Sequence, residues 1–100
     1  MPFEMIVGLQ IKDSEQYQNY REAMKPLLKS HGGGFRYDFI VSTALISDTP
    51  APINRVFAIY FKSKSRMDDF FSHPDYKTIK AKYFETSVEA TTIISSYDRT

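Results

Sequence analysis

The chain repeats one unit, a strand followed by an amphipathic helix and a second strand. The predicted strands are Met5–Ile11, Phe35–Val41, Arg55–Lys62 and Val88–Tyr97, and the predicted helices are Ser14–Lys29 and Ser65–Glu85, the second broken at His73-Pro74. The strands show apolar residues at a period of two and the helices at steps of three and four. This βαββαβ order predicts an α+β domain, a four-stranded antiparallel sheet with both helices on one face. Right-handed crossovers place the first and third strands at its centre.

Short signals mark the ends of the helices. Asp13 is a candidate N-cap, with Gln16 three residues later. Gly32 is the expected left-handed residue after the first helix. Pro74 suits the first position of a new helical segment, capped by Ser72 or His73.

The third strand carries apolar side chains on both faces. Val56, Ala58 and Tyr60 alternate with Phe57, Ile59 and Phe61. The helices cover one face, and the other exceeds the roughly few hundred Å² of apolar surface that a monomer leaves exposed. A second copy of the sheet is the simplest cover, so the sequence predicts a homodimer through the sheet face.

Composition narrows the class of protein. One hundred residues, 42% of them apolar and 25% charged, predict a single globular domain over residues 1–100. The net charge of +1 gives no field for steering onto nucleic acid or anionic lipid, and neither partner is expected. The absence of cysteine excludes disulfides and thiolate chemistry. We see no secretory signal or membrane span, and expect a cytoplasmic protein.

The run from Ile11 to Tyr83 resembles the DUF1330 family of the dimeric α+β barrel superfamily. The resemblance rests on Asp13, Tyr17, Tyr20, Gly32, Gly33, Arg55, the strand end Phe61-Lys62-Ser63, and Ser72-His73-Pro74-Asp75-Tyr76 followed by Ile79. It implies a ferredoxin-like fold and a dimer rather than a particular reaction. The family commonly has an arginine about two turns after the tyrosine of the break. Here Tyr83 stands near that place, and an anion-binding role is not transferred.

Two histidines are the candidate catalytic groups. His31 follows the first helix beside three glycines, and His73 precedes Pro74. Either is a candidate general acid or base at a pocket mouth, or a polar residue at a helix end with no chemical role. Their separation along the chain and the lack of a ligand pattern predict no metal site, and no cofactor is expected.

Three charged residues are binding candidates. Arg36 and Asp38 alternate on one strand, so they are expected to share a face. Inside a dimeric barrel they would be buried, paired and available to a ligand, whereas at a sheet edge they would be solvated. Arg55 either clamps a ligand carboxylate or forms a surface ion pair.

Tyr60 and Tyr76 complete the binding candidates. Tyr76 shares a helix face with core residues, so packing with its hydroxyl at the surface is the simpler alternative.

RNA-recognition domains share the βαββαβ order and are therefore an alternative class for this chain. They stack bases on aromatic residues of the first and third strands. Here Ile6 stands where a stacking ring would lie, and an aliphatic face suits another sheet better than a base. The leading expectation is a dimeric barrel that binds or transforms a small molecule. A non-catalytic interaction module and an RNA-binding domain are the alternatives, and the sequence does not decide whether the protein is an enzyme.

Overall fold

A four-stranded sheet lies under a layer of helices in the structure, a computed structural model that describes residues 1–99. The elements are β1 (Phe3–Ile11), α1 (Ser14–Ser30), β2 (Gly34–Ile40), β3 (Arg55–Phe61), α2 (Lys64–Ser72), α3 (Pro74–Ile79), a π-helical turn (Lys80–Phe84) and β4 (Val88–Asp98). The spatial order of the strands is β2-β3-β1-β4, and every neighbouring pair is antiparallel. The predicted βαββαβ architecture with β1 and β3 at its centre is confirmed. None of the helices within residues 1–99 is long and apolar enough to cross a membrane.

The predicted helix ends are confirmed in detail. The Asp13 carboxylate accepts a hydrogen bond from the Gln16 amide at 3.1 Å. Gly32 has a φ of +70°, the left-handed conformation that ends α1. His73 separates α2 from α3, and its Nδ1 accepts a hydrogen bond from the Asp75 amide at 3.0 Å.

The second helical region divides further than its sequence pattern indicates. After α3 the backbone widens into the π-helical turn, where the Glu85 amide donates to the Lys80 carbonyl at 3.0 Å, five residues back. A π-helical turn accommodates one extra residue, and such turns are frequent at functional sites. Lys80 and Phe84 at its two ends both line the cavity described below.

A β-bulge in β2 corrects the predicted faces of that strand. Phe35 lies opposite Ile59 and Tyr37 lies opposite Ala58, so Arg36 is the extra residue. Side chains beyond the bulge therefore point to the face opposite the one that simple alternation predicts. Phe35 faces the helices, whereas Tyr37 and Phe39 lie on the other side, which we call the open face.

The core lies between the helices and the sheet. It is built from alternate residues of β1 and β3 and from one stripe of each main helix. Its fully buried members include Leu9, Tyr17, Met24, Leu28, Phe61 and Phe70. On the open face, Tyr37 and Phe39 remain about half exposed. The helices thus cover only one side of the sheet.

We predict that Asp13→Ala lowers the free energy of unfolding by about 1 kcal/mol, because the first turn of α1 loses its cap. This turn leads into Tyr17 and Tyr20, which line the cavity. Denaturant unfolding measures the change. Asp13→Asn is the matched control, since its side chain still accepts the bond, and equal destabilisation by both variants would contradict the capping role.

Candidate functional site

A cavity of about 240 Å³ lies between the helix layer and the sheet. Its walls are mainly apolar and come from α1, α2, α3, the π-helical turn and all four strands. The lining residues are Met5, Val7, Leu9, Tyr17, Tyr20, Arg21, Met24, Phe35, Phe57, Ile59, Phe71, Tyr76, Lys80, Phe84, Thr91 and Ile93. A mainly apolar cavity with a few polar groups is typical of a small-molecule site.

Two tyrosine hydroxyls meet in the wall of this cavity. Tyr20 on α1 and Tyr76 on α3 are both buried, and their hydroxyl oxygens are 2.9 Å apart. Burial raises the pKa of Tyr76 above its usual value and that of Tyr20 well above it. Both hydroxyls therefore stay protonated, and only one of their two hydrogens is used in the bond between them. The pair has one donor to spare.

Arg21 is the buried cation of the site. It follows Tyr17 by one turn of α1, and only 6% of its surface is exposed. Its Nε donates to the Tyr17 hydroxyl at 2.8 Å, and its guanidinium carbon lies 3.7 Å from the centre of the Phe35 ring. Its Nη2 is buried and has no aligned hydrogen-bond acceptor within residues 1–99, although the Asp38 Oδ2 lies 3.2 Å away.

Asp38 is shared between two arginines. Arg55 donates to both of its carboxylate oxygens, at 2.7 and 2.8 Å, and Arg21 approaches the second of them. Burial raises the pKa of Asp38, but the Arg55 hydrogen bonds and the Arg21 charge outweigh it and lower the pKa overall. With Asp38 ionised, the three side chains carry a net charge of about +1 at neutral pH.

Several interactions offset the burial of Arg21, which for a charged side chain costs several kcal/mol. A desolvated cation–π contact with a ring such as Phe35 returns about 2 kcal/mol. A hydrogen bond from a charged donor, here to Tyr17, returns roughly 1.5–3 kcal/mol. The Asp38 carboxylate, 3.2 Å from Nη2, adds an ion pair that it shares with Arg55.

A second charged cluster occupies the open face around Glu4. The Glu4 side chain is fully buried and accepts from Arg36 at 2.6 and 3.1 Å, from the Tyr97 hydroxyl, and from Arg99 at 3.3 Å. The Arg36 hydrogen bonds outweigh the effect of burial and lower the pKa of Glu4 to about 2. All the polar atoms of this carboxylate are used within the cluster, so it is structural.

The predicted site residues fall into separate groups. Arg36 and Asp38 do not share a face, because the bulge turns Arg36 toward Glu4 on the open face and Asp38 toward α1. β2 lies at the edge of the sheet, as one of the two alternatives for Arg36 and Asp38 assumed. Both side chains nevertheless form ion pairs with other residues of the chain. Arg55 clamps Asp38 of its own chain. Tyr60 lies opposite Glu4 on the open face.

The two histidines lie close together, outside the cavity. Their ring centres are 5.8 Å apart, at the end of α1 and the junction between α2 and α3. His31 Nδ1 contacts the Leu27 carbonyl at 2.9 Å, whereas His73 Nδ1 accepts from Asp75. Neither is among the residues that line the cavity. Within residues 1–99, no group of three or more histidine, cysteine or acidic side chains is placed to hold a metal ion.

Among the predicted site residues, Tyr76 alone lines the cavity. Its hydroxyl binds Tyr20 rather than reaching the surface. Reasoning from the sequence missed Arg21 and Glu4. The signal for Arg21 is a charged residue inside the apolar stripe of α1, four residues after Tyr17 and three before Met24. The signal for Glu4 is an acidic residue two positions before Ile6 on an apolar face.

A sequence profile described as "Domain of unknown function (DUF1330)" matches residues 5–97. The chain belongs to the DUF1330 family. No curated protein sequence matches it.

Solved structures similar to this DUF1330 chain share its fold. A protein of unknown function from Rhodopseudomonas palustris has 18% identity and a TM-score of 0.79, covering 93% of this chain and 78% of that one. A DABB-family protein with a ferredoxin-like fold from Mesorhizobium loti has 16% identity and a TM-score of 0.69, covering 99% and 97%. A dimeric ferredoxin-like protein of unknown function from Jannaschia sp. has 10% identity and a TM-score of 0.66, covering 99% and 100%. At these identities the likeness shows the ferredoxin-like fold alone.

We predict that Glu4→Gln lowers the stability of the protein at pH 7, because Arg36 and Arg99 lose their counter-ion. The pKa of Glu4 is lowered from 4.5 to about 2, so its contribution is full above the higher value and lost as pH falls through the lower one. Unfolding in denaturant between pH 7 and pH 2, at fixed protein concentration, should show the variant approaching the wild type with acidification. Glu89→Gln, at an exposed position of β4, is the control. A difference that stays constant with pH would contradict the assignment.

Proposed function

We propose that this DUF1330 protein is a homodimer whose two sheets pack face to face, and that each copy binds a small, mainly apolar organic molecule. The binding site is the cavity between the helices and the sheet. The observation that carries the proposal is an apolar cavity containing buried polar groups with unused hydrogen-bond donors. Polar groups buried by core packing are normally paired, so unpaired donors in the wall of a cavity indicate a ligand-binding site.

The open face supports the dimer. Tyr37, Phe39 and Ile94 are each about half exposed, and Val56 beside Phe39 is partly exposed, whereas Ala58 beside Tyr37 is buried. Large apolar side chains that are this exposed on one face indicate an interaction site. We assign it to a second copy, in keeping with the relative described as a dimeric ferredoxin-like protein. In a two-fold dimer the same patch of each subunit forms the interface, so the open face of one copy covers the open face of the other.

The third strand argues against bases as the occupant of that face. It presents Val56, Ala58 and Tyr60 there, while Phe57 and Phe61 are buried on the helix side. The one ring of this strand on the open face, Tyr60, is covered by the Arg99 guanidinium, 5.2 Å from the ring centre. The expectation of an aliphatic open face holds for the middle of β3, but the bulge brings the rings of Tyr37 and Phe39 to its edge. Those rings contact each other, with centres 5.8 Å apart. RNA binding is the alternative function of this face, and the sedimentation experiment described below distinguishes it from dimer formation.

The volume of the cavity limits the size of the ligand. A dry apolar cavity of roughly 150 Å³ is enough to bind benzene. The 240 Å³ here therefore suits one substituted ring or a short branched chain. The proposal assigns no reaction to the site. The roles of His31 and His73 as acid or base, and a cytoplasmic location, stay predictions.

We predict that Phe39→Asp converts the dimer to a monomer, since it places a charge in the sheet-to-sheet interface. Sedimentation velocity at several concentrations measures the change. Ile40→Asp is the matched control, because the next residue of β2 is 84% exposed and points to the helix side. A wild-type monomer, or equal effects of the two variants, would contradict the assigned interface. A monomer that bound single-stranded RNA with strong salt dependence would favour the RNA alternative.

We predict that Val7→Phe weakens the binding of a neutral probe, 3-phenylpropan-1-ol, by at least about tenfold. Val7 forms part of the cavity floor, and the added ring occupies the space of the probe. Calorimetric titration measures the affinity. Leu45→Phe, on an exposed loop, is the control and should bind as the wild type does. Unchanged binding by Val7→Phe would place the probe elsewhere.

A further inference from the structure

We infer that the cavity selects a monocarboxylate with an apolar body, and that Arg21 binds the carboxylate. This inference rests on the proposed function and specifies the ligand class of the same site. It follows from the polarity of the lining groups, from the net charge of about +1 on Arg21, Arg55 and Asp38 at neutral pH, and from the size of the cavity.

The polar lining of the cavity consists almost entirely of hydrogen-bond donors. Arg21 and Lys80 are cations, and the Tyr20–Tyr76 pair has one hydroxyl hydrogen unused. Thr91 supplies a hydroxyl that can donate or accept a hydrogen bond. No carboxylate is among the lining side chains. A ligand that only donates hydrogen bonds would leave these groups unpaired, whereas an anionic acceptor satisfies them.

Arg21 has donor capacity that its own chain does not use. Of its guanidinium nitrogens, Nε alone makes an aligned hydrogen bond within residues 1–99, to Tyr17. Asp38 Oδ2 lies 3.2 Å from Nη2 without the alignment of a hydrogen bond, and both Asp38 oxygens also accept from Arg55. Two arginines therefore share one carboxylate. A second carboxylate would complete a pairing of one anion per guanidinium, and the planar fork of arginine fits that group.

The rest of the cavity determines what the carboxylate is attached to. Apart from the donors, the lining is aliphatic and aromatic, with Phe35, Phe57 and Ile59 along the sheet beside Arg21. A ring or short chain on the carboxylate would contact these side chains. A second charge beside these rings would be buried without a partner, and Lys80, the other cation of the lining, is exposed to solvent, so a monoanion is preferred over a dianion.

The test compares two probes with one carbon skeleton, 3-phenylpropanoate and 3-phenylpropan-1-ol, by calorimetric titration of the full-length protein at pH 7. The wild type should bind the acid at least about tenfold more tightly than the alcohol, as expected for a charged hydrogen-bonded pair. Arg21→Met should remove that preference, so that the ratio of the two affinities falls to about one. Arg66→Met, at an exposed arginine of α2, should change neither affinity.

Two further variants keep Arg21 and change how strongly Asp38 competes with the ligand carboxylate for it. Asp38→Asn should tighten acid binding severalfold, because both arginines lose their internal counter-ion. Arg55→Met should weaken it, because Asp38 is then free to pair with Arg21. These opposite shifts test the inference even if Arg21→Met fails to fold, which circular dichroism reports.

The outcomes separate the inference from the function on which it rests. Equal wild-type affinities for acid and alcohol would overturn anion selection and leave the cavity as a binding site. Binding of neither probe by the wild type would overturn both. Tighter acid binding that Arg21→Met retains, with no shift in Asp38→Asn or Arg55→Met, would overturn the role of Arg21.

Discussion

The central strand β3 carries apolar residues on both faces, and the rest of the structure depends on how each face is covered. Burial of apolar surface is the main favourable term in folding, so neither face is stable in water. One helix layer covers the first face and builds the core with Tyr17, Met24 and Phe70. The open face leaves Tyr37 and Phe39 about half exposed, and we propose that a second copy covers them. The cavity and the proposed interface thus lie on opposite faces of the same sheet.

The bulge in β2 separates the charges of that strand into two clusters. Arg36 joins the fully satisfied Glu4 cluster on the open face, whereas Asp38 joins Arg55 and Arg21 beside the cavity. The first cluster has no unused acceptor and stabilises the sheet. The second contains the buried Arg21, whose Nη2 has no aligned acceptor within residues 1–99, and that unused donor is the basis of the ligand proposal. One inserted residue thus places Arg36 and Asp38 on opposite faces of the sheet, in separate clusters.

The sequence predicted most of the fold but little of the site. Periodicity and end signals such as Asp13 and Gly32 act locally, so the elements and their order were readable. The bulge at Arg36 leaves no local signal, since it depends on how β2 pairs with β3. The π-helical turn is likewise set by packing. Glu4 was missed because its partners Arg36, Tyr97 and Arg99 lie far away in the sequence. Arg21 was missed although Tyr17 is nearby, because its contacts with Phe35 and Asp38 depend on the bulge in β2. The two histidines lie near each other but outside the cavity.

Native mass spectrometry of the purified protein tests the central claim most directly, because it reports subunit number and retained ligand in one spectrum. We predict a dimer of twice the chain mass that carries up to one small organic acid per subunit and releases it on collisional activation. Acid treatment followed by extraction would identify the acid. A monomer without any bound species, at concentrations where the fold is intact, would contradict both the covered sheet face and the occupied cavity.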